Sequence, residues 1–454
     1  MNIGAKQIEI IENAKVFLKK IQFSKIDTAL SSFCYFTSWT ETPGYARLKL
    51  KANGWIYSLN FFFIMLKNIL AISSHAEYFE FSKQREPKKF ESLIITWAYQ
   101  NNFQEDGSFQ DRYFNENSKN IPNSYWLLIS MDGYIPPKLN GNIKIFLKKK
   151  NFFKYNFLPF IKILFSIIID CNLSPKKIFH YLNFHSFFAK IILPIVKKEV
   201  KNNNFKFILM PYEAQPFQNK IFSEVKKFSS TIKNVGYLHS LPPLTTELIY
   251  REGAPDLLLV HSESQHKTLQ SYLSWPTNNL FLIKSLRFTL KNKESLSKKI
   301  FLPNSLHDSD ILIKEFRNFI KNSPEKSFPK FNIKIHPSTT NYKKQKRFEK
   351  NIEIVMDRFK DRFSDNSIDK NISIFFGVTA AILEALEKGS RVIHICSDPV
   401  FQSYSEDLWP NLKVKKITHF IYEYNIISFG KTINLDKNAN LIDELKKLNI
   451  LLTS

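Results

Sequence analysis

Four short clusters in the 454-residue sequence carry residue types that can do chemistry. The first is Pro211-Tyr212-Glu213-Ala214-Gln215, directly after the apolar run FKFILM. A carboxylate at a strand end facing a cleft can accept a proton from a hydroxyl in transit. The same glutamate can instead sit in the first turn of a following helix, where its charge meets the dipole favourably. The second is Gly236-Tyr237-Leu238-His239-Ser240, followed by Pro242-Pro243. His239 can bind a donor phosphate or an acceptor, or simply hold the Pro-Pro turn, and His261-Ser262 close the next apolar run in the same manner. The third is Lys334-Ile335-His336-Pro337-Ser338. Alternation in FNIKIH places His336 opposite Ile335 at a strand terminus, and Pro337 fixes the backbone as the chain leaves the sheet. Such a histidine can donate to a phosphate or leaving-group oxygen and offset negative charge there, or be a buried, hydrogen-bonded core histidine. The fourth is Gly377-Val378-Thr379 running into AAILEALEKG. Here a strand meets a glycine and then a helix whose first turn is expected to contain Thr379, so amides and hydroxyl make a phosphate seat. Glu384 inside that helix can reach a ribose or base edge. An isolated threonine cap is commonplace, so this cluster depends on its pairing with His336.

Other chemistries lose their usual support. The sequence has no GxGxxG after a strand, no GxxxxGK[ST], no HExxH and no GxSxG. His180 and His185 in HYLNFH stand five apart, on different faces of a helix, and make a poor metal pair. No metal site is expected. Cys34, Cys171 and Cys396 are far apart with no CxxC, which fits neither a disulfide framework nor a cysteine metal site and suits a reducing cytosol.

The elements that must position these clusters form two runs. FKFILM, NVGYLHS and PDLLLVHS alternate with helix-forming segments NKIFSEVKKFSS and ESQHKTLQSYLS, the pattern of α/β units on a parallel sheet. After NNLFLIKSLRF come KIFLPNS, a helix at about 310–321, FNIKIHPS, a helix near 346–363, ISIFFG, a helix at about 379–388, RVIHICS and a last amphipathic helix near 440–448. Further upstream, SSFCYFTSW, SLIITWAYQNN and YWLLIS read as strands. Ile56 to Ile72 reads as a buried helix, and Lys144 to Lys198 as a basic, aromatic, helical stretch interrupted by prolines. The expected class is α/β, with an N-terminal domain over 1–283 carrying a helical insertion near 144–198, and a C-terminal domain over 284–454. Ligands of open α/β sheets lie beyond the carboxyl ends of the strands, and each polar cluster falls at such an end.

Composition sets the outer bounds. Apolar residues are 44% and charged residues 23%, so the chain is globular, long enough for two or three domains. The 43 phenylalanines fill cores and imply no function. Lys and Arg number 65 against 41 Asp and Glu, a formal charge of +24 that favours anionic partners without choosing among nucleic acid, acidic lipid and activated sugars. No signal peptide is read at the N-terminus. The two greasiest stretches, 56–72 and 152–169, are both interrupted by lysine and fall short of the roughly 20 apolar residues of a membrane span.

KIHPST, followed some forty residues on by FFGVTAAILEALEKG, resembles the paired C-terminal motifs of bacterial two-domain glycosyltransferases that use CMP-activated acidic sugars, sialyltransferases and capsule Kdo transferases among them, and those of polymer glycerophosphotransferases. With DRYF, the MDG turn, PYEAQPFQ and GYLHS upstream, the layout resembles surface carbohydrate biosynthesis proteins over most of the chain. The resemblance implies a GT-B fold, two Rossmann-like domains facing across a cleft, with the acceptor on the N-terminal side and the nucleotide on the C-terminal side. It implies that His336, with Pro337 and Ser338, engages the donor phosphate, and that Gly377 and Thr379 complete the seat where relatives carry a serine pair. It implies an acidic base in the N-terminal domain, for which Glu213 is the candidate and Asp132 the runner-up. The expected donor is a CMP-sugar with no further cofactor, the expected acceptor a glycan or lipid-linked glycan. Lys148 to Lys150 with Lys197, Lys198 and Lys201 either touch an anionic membrane at its inner face or form a solvated lysine face. A CDP-polyol phosphotransferase on the same architecture and a basic nucleic-acid-binding protein are the alternatives. The latter lacks any RNP, KH or zinc-finger spacing, so no nucleic acid is expected.

Overall fold

The computed structural model describes residues 2–34, 78–81, 90–130, 132–148, 165, 169, 180–181, 184–288, 296–303, 306, 308–336, 342–367, 369 and 371–448. Two sheets organise them. The first contains β1 (Tyr78–Phe81), β2 (Ser92–Ala98), β3 (Ser124–Ser130), β4 (Ile143–Lys148), β5 (Phe207–Pro211), β6 (Lys233–Tyr237), β7 (Leu257–Val260) and β8 (Leu280–Leu282) in the order β1-β4-β3-β2-β5-β6-β7-β8. All neighbours are parallel except β1 on β4. The second contains β9 (Lys299–Phe301), β10 (Asn332–Lys334), β11 (Ile372–Phe376), β12 (Arg391–Ile395), β13 (Leu412–Lys416) and β14 (Ile421–Ile426) in the order β10-β9-β11-β12-β14-β13. Strands β9 to β12 are parallel and the β13–β14 hairpin closes one edge antiparallel.

Central strands are apolar on both faces because helices cover both: every residue of SYWLLIS in β3 and FILMP in β5 is buried. On one face of the first sheet, Ile94, Leu128, Leu209 and Leu259 pack with Leu441 and Leu445. On the other, Leu93, Ile95, Leu127 and Ile208 pack with α1 (Ile3–Phe23), α2 (Phe184–Asn202) and α3 (Pro216–Phe228). That core continues without a break into Phe401, Tyr404, Trp409 and Tyr424 of the second half. Helices α4 (Glu263–Ser271), α5 (Ser309–Lys321), α6 (Lys343–Arg358), α7 (Ala381–Glu387), α8 (Pro399–Gln402) and α9 (Leu441–Lys447) follow along the described residues.

The halves are stitched by polar contacts as well. Gln7 of α1 donates to the carbonyls of Val400 (2.9 Å) and Ser403 (2.8 Å) and accepts from Ser405 Oγ (2.6 Å). Beyond the other end of α1, Asp27 pairs with Lys220 of α3 at 2.7 Å and its amide donates to Tyr181. Glu387, at the end of α7, accepts the amides of Gly430 (2.6 Å), Thr432 (2.8 Å) and Ile433 (3.0 Å). The same segment then bonds the first half, Asn434 N to the His261 carbonyl (2.7 Å), and the connection after β8, Ser285 N to the Asn434 carbonyl (2.8 Å).

The structure corrects several local expectations. Residues 144–148 belong to β4, not to a helix, since Ile143 to Phe146 register in parallel against Trp126 to Ile129. The helix expected near 346–363 spans Lys343–Arg358, and β10 ends at Lys334, so Ile335 and His336 lie beyond the strand rather than on its faces. SSFCYFTSW begins with a 3-10 turn, Ser32–Cys34, and its remainder, like 56–72 and 149–164, lies outside the described residues. Among the described residues no helix is long and apolar enough to cross a membrane.

Candidate functional site

Successive parallel strands β2, β5, β6 and β7 deliver their carboxyl ends side by side. Each contributes to one cluster: Trp97 from β2, Glu213 after β5, His239 after β6 and His261 after β7. The Glu213 turn is tightly held. Ala214 adopts a left-handed φ of 54°, unusual for a residue with a Cβ. Gln218 Oε1 accepts the amides of Glu213 and Gln215, both at 3.0 Å, while its Nε2 donates to the Pro211 carbonyl at 2.6 Å. The Ala214 carbonyl accepts from Asn219 and Arg251. Pro216 then opens α3. Gln215 occupies the N-cap position of α3, so Glu213, two residues ahead of it, is neither the cap nor a first-turn residue of that helix.

Glu213 and His239 are in direct contact, Oε1 to Nε2 at 3.2 Å, with 24% of the glutamate side chain exposed and 5% of the histidine. His239 therefore lies behind the carboxylate, and Glu213 is the member that meets solvent. Tyr113 presses edge-on against the imidazole, ring centroids 4.5 Å apart, and Trp97 lies at 6.3 Å. Burial opposes charge on Glu213, but the His239 charge and hydrogen bonds from His239, Ser240 and Gln215 outweigh it and hold the carboxyl down to about 2. Burial likewise pushes the His239 imidazole below its usual value, with the Glu213 charge acting against that. At neutral pH the Glu213 carboxylate is ionised and accepts from the His239 imidazole N–H.

A second carboxyl nearby behaves oppositely. Glu247, in the 3-10 turn Thr246–Leu248, is buried, and its Oε2 has no hydrogen-bond partner among the described residues. Burial first, then the Glu213 charge, pushes it up to about 8. From about pH 4.5, the ordinary value, to about pH 8 the native protein keeps a proton that the unfolded chain has released, so Glu247 makes stability fall as pH rises across that window. Glu247→Gln is expected to flatten this decline. Urea midpoints at several pH values between 5 and 8 check it, and an unchanged slope in the variant would remove Glu247 as its source.

The second sheet supplies the other group. His336 follows β10 and Gly377 follows β11; both strands flank β9, so their ends stand about 10 Å apart. His336 is half-buried, and burial, then the Arg287 charge, lowers its basicity. Gly377 takes φ +60°, where a Cβ would also approach the Pro303 ring at 3.2 Å. Its carbonyl meets His394 Nε2 at 2.6 Å and its amide donates to Ile395 at 2.9 Å. Thr379 lies two residues ahead of α7 rather than in its first turn, and its hydroxyl accepts the Ala381 amide at 3.3 Å. Glu384 pairs with Lys388 at 2.6 Å. Pro337 and Ser338 lie outside the described residues.

Asp132 follows β3, two strands from Glu213 in the order β3-β2-β5. Its oxygens accept from the Gln100 amide (2.8 Å), the Tyr134 amide (3.1 Å) and Ser130 Oγ (3.4 Å), which organise its own turn. Among the described residues no group of His, Cys, Asp and Glu has the makings of a metal site. Sequence reading did not single out Trp97, Tyr113 or Arg287. Tyr113 lies in DRYF, where Asp111 turns the chain by accepting the amides of Tyr113 (2.7 Å) and Phe114 (2.6 Å) and the Thr96 hydroxyl (2.6 Å). An arginine interrupting the apolar run NNLFLIKSLRF was the available signal for Arg287.

No family model matches the chain, and no curated protein matches it. Among solved structures it is similar to an α,α-trehalose 6-phosphate synthase of Burkholderia multivorans, at 8% identity over 66% of this chain and 80% of that one, TM-score 0.35. It is similar to a glycosyltransferase of Rickettsia africae at 13% identity, over 67% of this chain and 79% of that one, TM-score 0.33. It is also similar to a sucrose-phosphate synthase of Thermosynechococcus elongatus at 10% identity, over 67% and 81%, TM-score 0.34.

Proposed function

We propose that this chain is a glycosyltransferase of GT-B type that moves a sugar from a nucleotide-activated donor to a hydroxyl of a glycan or lipid-linked glycan. The observation that carries the reading is the ionised Glu213, backed by His239 and partly open to solvent at the carboxyl edge of the first sheet. The clusters after β10 and β11 occupy the corresponding edge of the second sheet. In this reading Glu213 orients the acceptor hydroxyl and takes its proton as the oxygen attacks the anomeric carbon. His239 is a positioning residue that fixes the carboxylate. The anomeric carbon passes through an oxocarbenium-like state as its bond to the donor phosphate breaks. His336, with the turn at Gly377 and Thr379, donates hydrogen bonds to the departing phosphate.

The finer reading is a CMP-activated acidic sugar, of the sialic or Kdo kind, transferred for surface polysaccharide synthesis. It rests on the resemblance of KIHPST and FFGVTAAILEALEKG to CMP-sugar enzymes. Calorimetry with CMP, CDP, UMP and UDP at fixed ionic strength tests it, because a protein of +24 attracts every nucleotide weakly and only the differences inform. CMP is expected to bind tightest and to lose that preference in His336→Ala. Tightest binding of CDP would instead favour a CDP-polyol phosphotransferase, and equal binding erased by salt would overturn the nucleotide site.

A further inference from the structure

Arg287 stands in the segment between the two sheets and is set there by its neighbours. The Tyr237 hydroxyl accepts the amides of Leu286 (3.1 Å) and Arg287 (3.3 Å), and Phe288 N donates to Ser285 Oγ at 3.0 Å. Its side chain is held but not consumed. Nη1 donates to the His239 carbonyl at 3.4 Å, and the guanidinium carbon lies 5.3 Å from the Phe288 ring centroid and 6.0 Å from that of Tyr113. Among the described residues no carboxylate pairs with it, whereas Lys284, three residues earlier, is paired with Asp436 at 2.6 Å. Its Nε and Nη2 make no hydrogen bond there, and the side chain is exposed.

Burial first, and the Arg287 charge in addition, depress the basicity of His239 and His261 on the first sheet and of His336 on the second. His261 is fully buried between Tyr237 and Phe288, ring centroids 5.6 and 5.8 Å away, and among the described residues neither ring nitrogen has a hydrogen-bond partner. Among the described residues the Arg287 charge thus acts on three imidazoles, and Glu213, the carboxylate in contact with one of them, is already engaged by His239. Two aromatic faces hold a guanidinium rigid while its outer edge remains available, the condition under which arginine grips an oxyanion bidentately.

We propose that Arg287 is the anion clamp of the cleft, gripping phosphate or carboxylate oxygens of the bound ligand from the side of the first sheet, opposite His336. This deepens the nucleotide-sugar reading and rests on it only for the identity of the ligand. The test is calorimetric titration of the full chain with inorganic phosphate, acetate and CMP at fixed ionic strength, for the wild type, Arg287→Ala, Arg287→Lys and Lys330→Ala. Lys330 lies just before β10, at the amino edge of the second sheet, and removes the same charge away from the cleft. Far-UV circular dichroism and the thermal midpoint establish that each variant is folded. Arg287→Ala is expected to weaken the anion that the clamp holds by about 10 to 100-fold. Arg287→Lys should recover part of the loss, because a point charge lacks the planar fork, and Lys330→Ala should match the wild type. Loss of phosphate and CMP binding identifies the donor phosphate, and loss of acetate binding identifies a carboxylate. Wild-type affinity for all three ligands in Arg287→Ala overturns the clamp, as does an equal loss in Lys330→Ala. If Arg287→Ala leaves CMP preferred over UMP, the nucleotide reading stands whatever becomes of the clamp. Arg287-dependent phosphate binding with no nucleotide preference leaves the clamp standing and removes the nucleotide.

Discussion

Replacing Glu213 by glutamine is expected to slow glycosyl transfer about 10² to 10⁴-fold, the range a positioned proton acceptor supplies. Glutamine has the same shape and its side-chain oxygen still accepts from His239 Nε2, so the turn held by Gln218 and Ala214 should persist. What disappears is the charge that receives the acceptor's proton, a need that arises mainly in the transition state. The loss should therefore fall on kcat, with the affinity for CMP close to wild type. A rate within a few-fold of wild type would take the base role from Glu213, and a greater loss in Asp132→Asn would assign it to the runner-up. The carboxyl's position at about 2 adds a second signature. A folded-state value below the ordinary 4.5 stabilises the native protein above about pH 4.5, and that stability is lost as pH falls towards 2, so Glu213→Gln should unfold less steeply with acid.

Much of this frame was legible in the sequence, because central parallel strands are buried on both faces and write themselves as unbroken apolar runs. FILM, YWLLI and LLLV are such runs, each followed by the polar residues that the sheet presents at its carboxyl edge. The α/β class and the division into two sheets followed from them. The β13–β14 hairpin was missed because LKVKK leaves its three lysines exposed at a sheet edge and reads as a solvated stretch. Lys144 misled in the other direction. It sits buried in β4 against Glu199 at 2.6 Å, so a strand interior reads as part of a basic helix. At the site, strand ends pointed to Glu213, His239, His336 and Gly377 singly. That Glu213 touches His239 depends on β5 and β6 being neighbours, and strand order is not written in local pattern. Tyr113, Trp97 and Arg287 reach the cluster through long-range packing from three different segments.

Glu387→Ala is expected to cost about 3 to 5 kcal/mol of stability. The carboxylate accepts three amides from residues 430–433, bonds to a charged acceptor are worth about 1.5 to 3 kcal/mol each, and alanine strands buried donors with nothing in their place. The damage should spread beyond that turn, since Asn434 next to it bonds His261 of the first half and Ser285 in the connection that follows β8. Chemical denaturation of the variant against wild type measures the loss, and Glu387→Gln, which keeps one side-chain acceptor, should recover part of it. A cost below about 1 kcal/mol would show that water replaces the carboxylate and that the segment is held by its apolar contacts.

The two ends of the chain both help to join its halves. α1 is tied to α8 and Ser405 through Gln7, while Asp27 beyond its other end is tied to α3, and α9 returns from the second half to cover a face of the first sheet. A cut at 283/284 would therefore not release two self-sufficient pieces. Each fragment would carry a helix whose apolar face is complemented by the other, and the fragments should reassociate when mixed.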